Sequence, residues 1–87
     1  MTPRVLIIDD AADFRRLLRL HLETAWPDIE ITERDPARDG LLAPEFTAAA
    51  FDVVLLDHDP PGTSGVEALN DYASRPLFPP LILLVPE

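Results

Sequence analysis

The chain holds three short apolar runs and one alternating run, spaced along stretches of mixed polarity. Arg4 to Ile8, Val53 to Leu56 and Leu81 to Val85 are apolar almost throughout. Runs of this length suit parallel strands covered on both faces. Ile29 to Glu33 alternates apolar and acidic positions, as an edge strand with one wet face does. Between the first two strands, Asp10 to Ala25 has helical periodicity. Phe14, Leu17, Leu18, His21, Leu22 and Ala25 recur at the spacing of a buried face. Arg15, Arg16 and Arg19 then fall on a solvated side. Asp13 suits the first turn of that helix, and Trp26-Pro27-Asp28 ends it.

Arg34 to Gly40 reads as a polar turn. Leu41 to Ala50 reads as a second helix, with Pro44 in its first turn. A third helix runs from Ser64 or Gly65 through Tyr72 and turns Val66, Leu69 and Tyr72 inward. His58 to Ser64 and Arg75 to Pro80 are Pro-containing connections. The order β-α-β-α-β-α-β predicts an α/β fold with a mainly parallel sheet.

With 87 residues, the chain suffices for one small domain. Its 47% apolar content supports a globular fold over a disordered one. The absence of cysteine excludes disulfides and thiolate metal sites. No apolar run is long enough to cross a bilayer, and the N-terminus lacks the pattern of a signal peptide. The expectation is a cytoplasmic protein without a membrane partner. Seven basic residues against sixteen acidic ones give a net charge of −9. Phosphate contacts need a basic face, so nucleic acid is not an expected partner of this segment.

The chemistry concentrates where strands end. Asp9 and Asp10 follow the first strand, and Asp57 follows the third. The carboxyl edge of an open parallel sheet is where ligands bind. Carboxylates gathered there repel one another, and a hard cation such as Mg²⁺ relieves that repulsion. Helix capping at strand–helix junctions is the structural alternative for the same residues.

Two segments carry a family resemblance. VLIIDD, Val5 to Asp10, resembles the first strand and acidic pair of the receiver domain of two-component response regulators. VVLLDHDPPGTSGVEAL, Val53 to Leu69, resembles that family's phosphoacceptor strand, loop and third helix. The resemblance implies a flavodoxin-like, doubly wound parallel sheet of order 2-1-3-4-5. Here it would be present only as β1-α1-β2-α2-β3-α3-β4, so residues 1–87 are expected to be a partial receiver domain. It also implies Asp57 as phosphoacceptor, taking a phosphoryl group from a histidine kinase or phosphotransfer protein with Mg²⁺. Asp10 and Asp57 would bind the metal directly, Asp59 through its backbone carbonyl, and Asp9 indirectly. Pro61 and Gly65 match the family's loop. The first helix, with Arg15, Arg16 and Arg19, would be the kinase-docking surface.

Some positions depart from the family pattern. Pro60 replaces a bulky apolar residue. Val85 stands where the family carries a Thr or Ser whose hydroxyl contacts the phosphoryl group. The family's Lys after a fifth strand has no counterpart, since the 87 residues contain no lysine. His58, beside the acceptor, either faces solvent or influences phosphoryl lifetime. Leu81 to Val85 would leave an apolar strand at the sheet edge, which calls for cover from further chain or from a homodimer partner. An output domain is expected beyond Glu87. A degenerate receiver used for docking or dimerisation is the alternative. Asp57-x-Asp59 with Gly62-Thr63 also resembles the haloacid dehalogenase-type phosphatase motif, which turns over where a receiver is modified once.

Overall fold

A computed structural model describes residues 2–40, 42–43, 50–58, 60 and 63–84. In the described residues four parallel strands form one sheet: β1 (Arg4–Ile8), β2 (Glu30–Arg34), β3 (Val53–Asp57) and β4 (Leu81–Leu84). Their order is β2-β1-β3-β4. The sheet therefore runs in the flavodoxin-like order expected for its first four strands. The register pairs Ile8 with both Arg34 and Leu56, and Asp57 with Leu84. All carboxyl ends thus lie along one edge.

The strands are apolar because both faces of the sheet are covered. Leu6, Ile8, Val54 and Leu56 point to one side, where Leu42, Ala68 and Tyr72 close the core. Val5, Ile7 and Leu55 point to the other, where Leu18 and Leu22 pack. The two sets alternate along each strand, as a pleat requires. Helix α1 (Ala12–Ala25) and helix α3 (Gly65–Ala73) therefore lie on opposite faces, the doubly wound arrangement.

α1 sits at a different rotation from the one its apolar residues suggest. Leu18 and Leu22 pack on the sheet, while Phe14 and Leu17 are 39% and 49% exposed and His21 and Ala25 are also exposed. The stripe facing the sheet is 15, 18, 19 and 22. Arg15 and Arg19 were expected in solvent, yet both reach Glu33 of β2, at 3.0 and 2.9 Å. Long side chains lay their methylene stems along the strand and bring the guanidinium to its partner, so an arginine can occupy a covered stripe. The helix starts at Ala12, because Ala11 is still extended.

α3 is also rotated. Gly65, Ala68 and Tyr72 are buried and Leu69 packs against the core, but Val66 is 58% exposed. Ser64 caps this helix, its Oγ accepting from the Glu67 amide at 3.1 Å. Between β2 and β3, the expected polar turn contains a short helix, α2 (Pro36–Asp39). Asp35 caps it by accepting from the Ala37 amide, and Pro36 stands where a missing N–H costs nothing. The second helix expected over Leu41 to Ala50 lies largely outside the described residues.

Tyr72 ties the connection after α2 to the core. It is 1% exposed, its hydroxyl accepts from the Leu42 amide at 3.1 Å, and its ring stacks on Phe78. The Arg75 guanidinium lies over the same ring and donates to the Ala43 carbonyl.

Candidate phosphoacceptor site

The register of β1 against β3 decides the geometry of the site. Because Ile8 lies beside Leu56, the residues that follow each strand emerge side by side. Asp9, Asp10 and Asp57 consequently converge, with one carboxylate oxygen of each within 4.8 Å of the others. Asp9 and Asp57 are buried, and Asp10 is exposed. The three border a cleft of about 530 Å³ that Ala11, Phe14, His58, Leu83 and Leu84 also line.

Asp9 is held by its neighbours. Its amide donates to the Arg34 carbonyl at 3.1 Å, and its Oδ1 accepts from the Ala11 amide at 2.8 Å. This bond closes a local turn ahead of the helix and is not the helix cap given as the alternative, because α1 is capped at Ala11 without a side-chain hydrogen bond. Burial pushes the Asp9 carboxyl above its ordinary range. The Ala11 amide and Arg15 oppose this, while Asp57 and Asp10 add to it by repulsion.

Arg15 links this turn to the sheet. Its Nη1 donates to the Asp9 carbonyl at 2.7 Å while its Nε donates to Glu33. Burial alone would raise the Glu33 carboxyl. Hydrogen bonds from Arg19 and Arg15 outweigh that and hold it below the usual range. Sequence reasoning missed this support. The signal was present: Glu33 shares a strand face with Ile29 and Ile31, and Arg15 and Arg19 are four apart on one helix stripe.

His58 follows Asp57 at the end of β3, with Nδ1 3.1 Å from Asp57 Oδ1. Pro60 is buried. Thr63 donates its hydroxyl to Glu67 Oε2 at 2.9 Å. Asp59, Pro61, Gly62 and Val85, singled out above as carbonyl ligand, loop residues and switch position, lie outside the described residues. No lysine exists in the sequence to face the cluster.

Three carboxylates at close range, one of them resisting ionisation, form a donor set suited to a hard divalent cation. The fold and this acidic edge define a receiver-type α/β domain. Over 80 residues the chain is 34% identical to the transcriptional regulatory protein ResD of Bacillus subtilis (strain 168). That match spans 92% of this chain but only 32% of the relative, so the chain spans about a third of the length of that relative. No protein-family model matches the chain. Among solved structures, a mutant of the response regulator MaeR bound to sulfate has the same fold, with a TM-score of 0.70 at 20% identity. That likeness covers 97% of this chain and 67% of the other. The chain is thus similar to response regulators, in sequence over most of its length and in the fold of its sheet and helices. Among the described residues, no helix is long and apolar enough to cross a membrane.

Proposed function

We propose that Asp57 is a phosphoacceptor that takes a phosphoryl group from a phosphohistidine of a kinase or phosphotransfer protein. The observation that carries this reading is the convergence of Asp9, Asp10 and Asp57 at the carboxyl edge of the sheet. In the step, a carboxylate oxygen of Asp57 forms a bond to phosphorus as the bond from phosphorus to the donor's imidazole nitrogen breaks. The electron pair of the broken bond stays on that nitrogen, and the product is an acyl phosphate.

Asp10 and Asp57 would hold Mg²⁺ directly, Asp59 would add its carbonyl, and Asp9 would orient its neighbours. When bound, the ion neutralises the carboxylates and the incoming phosphoryl oxygens. The protein's part is placement: β1 and β3 bring the carboxylates together, and Arg15 fixes the turn behind Asp9. Val85 lacks a hydroxyl, and we read it as a position that weakens coupling between modification and conformational change. On this reading Val85→Thr strengthens any phosphorylation-linked response. Residues 1–87 are read as the part of a receiver that ends with its fourth strand, and output and kinase partners belong to the same reading.

The test is the intact mass of the chain after incubation with Mg²⁺ and acetyl phosphate, beside Asp57→Asn. One phosphoryl addition that needs both Mg²⁺ and Asp57 supports the acceptor role. Equal labelling of Asp57→Asn sinks it. A folded chain that takes no phosphoryl group favours a second reading, a docking or dimerisation module. The exposed apolar residues Phe14, Leu17 and Leu20 on α1 and Ile82 on β4 speak for that second reading.

A further inference from the structure

The backbone of His58 is gripped from two sides. Its amide donates to the Leu84 carbonyl of β4 at 3.0 Å, and its carbonyl accepts from the Gly65 amide at 2.9 Å. A Cβ at Gly65 would collide with the backbone of His58, so α3 begins in direct contact with this residue. With the backbone fixed, the imidazole lies against Asp57, Nδ1 3.1 Å from Oδ1. The imidazole is 42% exposed and the carboxylate 13%, so the contact joins a partly exposed ring to a largely enclosed carboxylate.

A carboxylate facing two others is pushed to rotate away from them. An imidazole N–H held against one of its oxygens, with that oxygen accepting, opposes that rotation. In-line attack tolerates little misalignment of the reacting group. We propose that His58 is a positioning residue for Asp57, holding one carboxylate oxygen and so setting the direction in which the carboxylate faces Asp9 and Asp10. The inference rests on the reading of Asp57 as acceptor for its functional meaning, while the contact itself does not.

The experiment compares the full chain with His58→Ala, which removes the nitrogen, and His58→Asn, which returns one near the Nδ1 position. The first readout is the χ1 rotamer of Asp57, from three-bond couplings in nuclear magnetic resonance. The second is the rate of labelling by acetyl phosphate at saturating Mg²⁺. A single rotamer is expected in the native chain and in His58→Asn, with averaging in His58→Ala. Labelling should slow about tenfold in His58→Ala and recover in His58→Asn, within the ~10²-fold that a misplacement of about 1 Å can cost. The unfolding midpoint should stay unchanged, because the ring is half exposed. A His58→Ala chain with one Asp57 rotamer and the native labelling rate overturns the proposal. If the native chain takes no phosphoryl group, the acceptor reading fails, and the rotamer comparison alone then decides whether His58 positions Asp57.

Discussion

Arg15 and Glu33 lie 3.0 Å apart across the joint between α1 and β2, and the same guanidinium holds the carbonyl of Asp9. One side chain thus ties the helix, the edge strand and the acidic turn together. The Glu33 carboxyl is held below its ordinary value of 4.5, with the Arg19 and Arg15 hydrogen bonds outweighing burial. A depressed carboxyl contributes stability above its unfolded value and loses it as pH falls through the native one. Glu33→Gln should therefore cost about 1–2 kcal/mol near neutral pH, the lower part of the range for charged hydrogen bonds because the site is partly wet. Denaturant unfolding at neutral and acidic pH checks this: the gap between the two proteins should shrink as pH drops below 4.5.

Asp9 has the opposite sign. Burial, with repulsion from Asp57 and Asp10, raises its carboxyl above the ordinary 3.8. The folded chain then takes up a proton at a pH where the unfolded chain has none. This group's contribution falls as pH climbs from 3.8 through the native value and stays lower above it. Without metal, Asp9→Asn should stabilise the fold at neutral pH. Mg²⁺ at a hundredfold excess over its Kd should add about 2.7 kcal/mol to the native chain. The metal-induced rise should shrink in the variant. Thermal melts with and without Mg²⁺ measure both effects, and a less stable metal-free Asp9→Asn would contradict the sign.

Gly65 is irreplaceable for a reason of space alone, since its φ lies outside the left-handed region and its neighbour is the His58 backbone. Gly65→Ala must push α3 away from the end of β3. The cost expected is about 1–3 kcal/mol, that of overpacking a closed site. Loss of hydrogen-exchange protection at the residue-65 amide, which donates to the His58 carbonyl in the native chain, would locate the damage. Full retention of stability would mean that the helix start can shift freely.

Tyr72→Phe keeps the stacked ring and removes only the acceptor of the Leu42 amide. Leu42 is buried, so its N–H loses its partner at a cost of about 1–3 kcal/mol. Faster exchange of the Leu42 amide, with the rest of the sheet unchanged, is the expected signature.

These relationships separate what a linear sequence displays from what it conceals. β1 and β3 were legible because both faces of each strand are covered, so Val5 to Ile8 and Val53 to Leu56 are apolar without interruption. The acidic trio followed from them, since strand ends in a parallel sheet share an edge. The helix faces were misread where the deciding partner sits on another element. Arg15 and Arg19 look solvated until Glu33 is placed opposite them, and Val66 looks inward until Gly65 is required against His58. For His58 the sequence suggested a solvent-facing side chain or an influence on phosphoryl lifetime, and its contact with Asp57 was not foreseen. Its settling depends on β4 and α3 closing around one backbone.

The strand order has a further consequence, for synthesis. β1 lies between β2 and β3, so the interior of the sheet is made before its second neighbour exists. At about 5–20 residues per second, the chain between Ile8 and Val53 takes on the order of seconds to emerge. Throughout that interval Leu6 and Ile8 have no β3 beside them. The strand that carries Asp9 and Asp10 into place is thus the one most exposed to chaperones and to mispairing while the chain is still being made.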